Sequence, residues 1–523
     1  MLAAQLERPK GSNQHSMASS TILDRQSSVT PTSVVRTFFP FSCVWFAVVA
    51  LVISQLAGHR MAEGDVWMHL RNAQEMCRSH AFLHYDRYTF TSAGAPLVNF
   101  EWLSELPYYF AFRAWDLRGL LAVEVVLLWL TFGGAYYLAL RRGADCADAA
   151  LVTMAGALLG SFSLGPRMFH FGWLCLMAVL LILDRFERTG SGVWWLPIVF
   201  ALWVNLHASW VFGFVVLGIY IVCGLRDWHG NNIFTAPWPR AGLRKLLLAC
   251  AASVGALFVN PYGYKLVWYP FELLSRQKAV RDDLTEWQSV DFHTFWGKLA
   301  MAMVLALLAA AWFSPKPWPL RDVVLAAFAV WAGLTHIRFL LFAGIVLVPI
   351  LAPRLRLLAP TENEAKPRPW LNLAVTASIA AVIIWAYPSA ARLQASMDSQ
   401  FPRDGLRFMQ RNHISGRLFH YYAFGGYIEW YAPEMKTFAD PRTDIFIYNG
   451  VLADYLKINA IDNSFQLLDK YKIDYVLFPA EMHLSYMLDH SSDWHVIYAD
   501  HVVKIFERVP GTNGGRAGLL QPG

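Results

Sequence analysis

Glu63 and Asp65 stand one residue apart in "AEGDVWMHLRNAQE" (62–75), directly behind an apolar run. Trp67 and His69 continue the same alternating spacing. Two carboxylates so placed suit one of two tasks. One of them takes a proton from an attacking hydroxyl as general base, or the pair offers hard oxygen ligands to Mg2+ or Mn2+. The plainer reading is a solvated loop with Asp65 capping the helix that begins near Val66. His69, four residues after Asp65, would share a helix face with it. Further along, Arg167, Arg338 and His336 are cations able to meet a phosphate. Trp67, Trp102, Trp203 and Trp287 offer rings to stack on a sugar or line a membrane interface, while Glu101, Asn205, His207, Glu286 and Asp291 add polar capacity. In "ADPRTD", Asp440, Arg442 and Asp444 alternate, so an extended strand would put them on one face. There they would pair as a salt-bridge cluster or reach down over a cavity.

The elements that carry these residues are membrane spans. The 523 residues are 56% hydrophobic and 16% charged, against about 25% charged in an ordinary soluble protein. The apolar residues gather into stretches near 38–57, 119–140, 147–164, 168–184, 193–208, 210–225, 244–260, 297–314, 320–335, 338–353 and 370–388. Stretches of this kind predict a polytopic α-helical membrane protein with about eleven transmembrane helices. "WLSELPYYFAFRAW" (102–115) is too short and interrupted to cross and reads as an aromatic-rich interfacial helix. The formal charge of +6 does not point to nucleic acid, because the basic residues sit at span ends. The cysteines form no C-x-x-C pair, so neither a zinc site nor a disulfide framework is indicated.

Basic residues fix the expected orientation. With the N-terminus in the cytoplasm, Arg141, Arg142, Arg185, Arg188, Arg244, Lys245, Lys316, Arg321, Arg354 and Arg356 all fall inside, while the short outer turns hold little beyond Arg167 and Arg338. The expected domains are a disordered cytoplasmic tail (1–37), a transmembrane domain (38–388) with a large first outer loop (58–118), an extracytoplasmic α/β domain (389–510) and a flexible tail (511–523). In the α/β domain, "PRDGLRFMQRN" and "SFQLLDKY" read as helices and "KIDYVLFP" as a buried strand. "WHVIYADHVVKIFER" reads as a hairpin, and "GRLFHYYAFGGYIEWY" and "KTFADPRTDIFIY" as broken strands. The acidic and aromatic residues above all converge on the outer face.

This layout resembles the GT-C superfamily of membrane glycosyltransferases: many spans, an acidic first outer loop and an extracytoplasmic C-terminal domain. Glu63-Gly64-Asp65 is similar to the acidic loop motif of that superfamily. The blocks Gly64 to Leu70, Trp203 to His207, Asn260 to Gly263 and Asp440 to Asp444 resemble a bacterial branch. The resemblance implies transfer of a sugar from a polyprenyl-phosphate donor to an acceptor on the outer face, by inversion. Asp65 and Glu63 would be the catalytic pair, and Mg2+ or Mn2+ a possible cofactor held by them. Val66 stands where many members carry a second acid, which leaves open both the metal and the choice of base between Glu63 and Asp65. The expected location is a bacterial inner membrane within the cell envelope. The expected partners are the lipid-linked donor, membrane lipids and an acceptor glycan, lipid or protein. A non-catalytic scaffold of the same fold and a lipid-linked solute transporter are the alternatives.

Overall fold

The structure, a computed structural model, describes residues 40–58, 63–230, 232–276, 285–358 and 368–510. Both expected tails, and the first two residues of the expected N-terminal span, lie outside the described residues. Each of the eleven apolar stretches contains a helix. Among the described residues, five helices are long and apolar enough to cross a membrane by themselves: Phe41–Gly58, Trp102–Arg141, Cys146–Ser163, Phe169–Thr189 and Phe295–Phe313. Pro369–Trp385 and Ala390–Asp398, bent by 48°, make a sixth if taken as one broken span. The count of eleven is therefore not reproduced. Val193–Leu206, Trp210–Cys223 and Ile337–Leu351 are shorter apolar helices. At 1.5 Å per residue they fall short of a hydrocarbon core of about 30 Å. The protein is a mostly helical, multi-pass membrane protein.

Small residues let the helices approach closely. A Cβ on Gly344 would stand 2.3 Å from the carbonyl oxygen of Gly156, so the crossing of Cys146–Leu159 with Leu340–Leu351 needs both glycines. Pro369–Trp385, by contrast, has no buried residue, as befits a helix solvated by lipid. The aromatic segment after Glu101 is helical, as expected. It is divided from the span that follows by a break at Trp115 (φ −141°) and Asp116 (φ 50°, ψ −141°).

The C-terminal region holds a four-stranded sheet in the order Leu418–His420, Tyr475–Pro479, Val503–Arg508, Trp494–Ala499. The first pair is parallel and the rest antiparallel. The helices at Arg403–Arg411 and Ser464–Lys470 and the final hairpin follow the sequence reading. Two segments differ. After Leu418–His420 the "FGGYIEWY" stretch turns helical (Gly425–Tyr431), and "TDIFIY" is the helix Thr443–Tyr448 rather than a strand.

The glycines explain the first difference. Cβ atoms at Gly425 and Gly426 would lie 2.5 Å from the carbonyl oxygen of Ala439 and 2.7 Å from the amide of Met68, so this turn is pressed between two backbones. Gly64 answers from the other side, its absent Cβ being 2.7 Å from the carbonyl oxygen of Ala423. The first outer loop and the C-terminal region thus share one packed unit. Met76, Leu83 and Leu97 join a core with Phe419, Phe438 and Phe478, and Thr89 bridges to Thr437 as paired strands do.

Candidate active site

A cavity of about 460 Å³ lies where the outer-loop helix Asp65–Ser79, several helix ends and the C-terminal region meet. This is within the size range of small-molecule sites. Asp65, His69, Glu101, Arg167, His207, Glu286, Trp287, His336, Arg338, Arg442 and Asp444, eleven of the residues singled out from sequence, line it. Residues over a hundred positions apart are brought together by the polar ends of the helices.

Two arginines form its cationic side. Arg167 donates from Nη1 to Glu286 Oε2 at 2.7 Å and from Nη2 to Glu63 Oε2 at 2.8 Å. Arg338 Nη1 stands 3.4 Å from Glu286 Oε1, with its guanidinium 4.3 Å from the centre of the Trp287 ring. His336 Nδ1 donates to the Trp287 carbonyl at 2.6 Å, fixing that loop. Burial alone would raise the Glu286 carboxyl, but Arg338 and Arg167 outweigh it and bring it to about 2. Glu63 is thereby a partner of Arg167 and does not itself line the cavity.

Asp65 begins its helix, with Gly64 before it providing no side-chain cap. Its carboxyl is pushed up by burial, with Arg167 pulling the other way. Asp65 and Asp444 are the two lining carboxylates that enter no ion pair among the described residues. Asp444 accepts a hydrogen bond from Tyr269, another lining residue, and burial pushes it up to about 7 against the pull of Arg442.

A chain of acids and imidazoles continues from Asp65. His69 Nδ1 donates to Glu105 Oε1 at 2.9 Å, and its Nε2 lies 3.4 Å from Glu101 Oε2. Glu101 Oε1 lies 3.4 Å from His207 Nε2. Asn72 and Asn99 donate to the two oxygens of Glu105 at 3.0 and 2.8 Å. Burial would lower His69, but Glu101 and Glu105 outweigh it and raise the imidazole to about 9. Glu101 is pushed up by burial to about 7, with His69 opposing.

Seven predicted residues stand off the cavity surface. Trp67 is fully buried against Phe112, Phe401, Tyr427 and Tyr431 and ties the outer loop to the C-terminal region. Trp102 Nε1 donates to Asn205 Oδ1 at 2.9 Å, and Asn205 donates to the carbonyls of Ala201 and Val259. Asp440 is buried with Arg442 and is held low, since Arg442 outweighs burial. Glu63 is held behind Arg167. Trp203 is fully buried, donating to Ser209 Oγ, and Asp291 is exposed beside His293. The sequence reading did not select Glu105, Asn72, Asn99 or Tyr269. Glu105 was legible, since it falls four residues after Glu101 on one helix face.

Among the described residues no group of three or more His, Cys, Asp or Glu side chains is placed to hold a metal ion. Glu63, the expected second ligand beside Asp65, is committed to Arg167. Among the described residues, Asp65 and Glu63 are therefore not arranged as a pair of metal ligands.

The opposite wall is apolar: Trp173, Phe212, Val215, Phe328 and Trp331. Acid, base, paired cations and an apolar flank therefore share one space.

The solved structures similar to this chain include two with a polyprenyl phosphate bound. The archaeal oligosaccharyltransferase AglB from Archaeoglobus fulgidus, in complex with an inhibitory peptide and a dolichol-phosphate, is 13% identical with a TM-score of 0.49, over 89% of this chain and 74% of that one. ArnT from Cupriavidus metallidurans, bound to undecaprenyl phosphate, is 14% identical with a TM-score of 0.49, over 90% of this chain and 98% of that one. No protein-family model matches the sequence, and no curated protein matches it.

Proposed function

We propose that the protein is a membrane glycosyltransferase that moves a sugar from a polyprenyl-phosphate donor to an acceptor hydroxyl on the extracytoplasmic face. The observation that carries this reading is the meeting of Asp65, the Arg167–Arg338 pair and the apolar wall in one cavity. An isoprenoid tail suits the wall of Trp173, Phe212 and Phe328. The donor phosphate suits the two arginines, which Glu286 holds apart from each other's repulsion. The sugar then lies toward Asp65, His69 and Glu101.

In the reaction Asp65 takes the proton of the acceptor O–H. The acceptor oxygen bonds the anomeric carbon from the face opposite the phosphate, inverting it. The carbon–oxygen bond to phosphate breaks, and the lipid phosphate leaves with the electron pair, its charge met by Arg167 and Arg338. No step is routed through a metal. On this reading the N-terminus is cytoplasmic, the C-terminal region closes the cavity from outside, and the membrane is the bacterial inner one. The acceptor is a glycan, lipid or protein bearing a free hydroxyl.

The test uses purified protein in bilayer discs with a panel of radiolabelled undecaprenyl-phosphate hexoses and pentoses. Transfer or release that disappears in Asp65→Asn while the thermal midpoint is kept supports the reading. Saturable binding without turnover of any donor would favour the transporter or scaffold alternative instead.

A further inference from the structure

Asp65 must be freed of its proton after each transfer. Its carboxyl is raised by burial, so it holds that proton more firmly than an ordinary aspartate does. The neighbouring acid–imidazole chain is built to take it. Glu101 lines the cavity with one carboxylate oxygen 3.4 Å from His69 Nε2 and the other 3.4 Å from His207 Nε2. The ring orientations are fixed from behind. His207 Nδ1 accepts from the amide of Ser209 at 2.9 Å, so its Nε2 carries the hydrogen that faces Glu101. His69 Nδ1 donates to Glu105, a fully buried carboxylate held by Asn72 and Asn99.

We propose that Glu101 is the group to which Asp65 passes the acceptor's proton, and that Glu105 is a positioning residue that keeps His69 oriented and charged beside it. This rests on the glycosyl-transfer reading above. The balance is simple: the Asp65 O–H bond breaks, a Glu101 O–H bond forms through a bridging hydroxyl or water, and Glu101 then releases the proton to cavity solvent beside His207. A Glu101 carboxyl near 7 can both take up and release a proton at neutral pH. The charged or titratable groups that face Glu101 are His69 and Asp65 on the outer-loop helix, Glu105 on its own, and Arg338, His207 and Tyr269 opposite.

The test compares the first turnover with the steady state, using full-length protein in bilayer discs and the best donor of the panel. Glu101→Gln is expected to slow steady-state transfer at least ten-fold more than it slows the first turnover, with millimolar imidazole restoring the steady state. His69→Gln removes the cation that opposes protonation of Glu101, so the pH at half-maximal steady-state rate moves upward. An equal loss in both phases, or no rescue, overturns the relay. If no donor turns over, the functional reading fails separately, and infrared titration of the substrate-free protein still decides the relay. The carboxyl band lost near pH 7 is expected to weaken in Glu101→Gln, leaving the Asp444 contribution, and its Glu101 part to shift up in His69→Gln. Loss in Glu101→Gln of only a band titrating near pH 4 overturns the relay.

Discussion

Arg442 of the C-terminal region donates from Nη2 to Asp86 Oδ1 of the first outer loop at 2.6 Å, and both side chains are buried. The same guanidinium donates from Nε to Asp440 Oδ1 at 2.8 Å, while Arg442 also lines the cavity. Asp86 in turn accepts from the amides of Tyr88 and Thr89. One cation therefore fastens the cavity's outer wall to the loop that carries Asp65. Arg442→Met leaves buried carboxylates uncompensated and is expected to cost about 3–5 kcal/mol. Thermal unfolding in discs checks it. Adding Asp86→Asn should cost less than the two single changes summed.

Glu286 shields two arginines at once. Glu286→Gln leaves both guanidinium groups with a neutral neighbour and is expected to tighten undecaprenyl phosphate binding about ten-fold, about 1.4 kcal/mol. Steady-state transfer should fall as the spent lipid leaves more slowly. Product-inhibition constants for wild type and variant decide the matter, and unchanged inhibition would place the phosphate elsewhere.

His69 makes stability depend on alkaline pH. Its imidazole rises from 6.5 to about 9 on folding, because Glu101 and Glu105 outweigh the burial that would lower it. A group raised by folding gives its full stabilisation below the unfolded value and loses it as pH climbs through the folded one. Wild type is therefore expected to lose on the order of 3 kcal/mol between about pH 6.5 and 9. His69→Gln should lack that loss. Midpoints across that window for both proteins provide the measurement.

Gly64 is required by contact rather than by turn geometry. Gly64→Ala sets a methyl group 2.7 Å from the carbonyl oxygen of Ala423 and is expected to lower the thermal midpoint and cut transfer at least ten-fold by displacing Asp65. Asp65→Asn should abolish transfer without the thermal loss, so the pair separates position from chemistry.

If Arg167 and Arg338 neutralise the leaving phosphate, as proposed, transfer is insensitive to chelation. Activity measured after EDTA treatment is expected to match the untreated protein. A loss restored by Mg2+ would put an ion between Asp65 and the donor phosphate.

Hydropathy made the helices legible, because apolar runs and basic ends survive any packing arrangement. It did not give their lengths, since a short helix such as Trp210–Cys223 starts only after a buried polar turn at Ser209. The acidic edge was visible as Glu63 and Asp65, but their division of labour was not. Only the fold brings Arg167 beside Glu63, over a hundred residues away. Trp67 looked like a sugar platform from its neighbours and is instead a core ring, because the C-terminal aromatics that cover it are more than three hundred residues distant. "TDIFIY" has strand-like composition, and tertiary contacts override it.

The wall that closes the cavity over Asp65 comes from residues 441–447. Ribosomes reach Arg442 roughly 20–75 s after Asp65 at about 5–20 residues per second. An unfinished chain already inserted in the membrane thus displays the acid and the arginines but has no enclosed chamber. On the glycosyl-transfer reading, it is the making and docking of residues 441–447, and not of Asp65 itself, that completes the chamber.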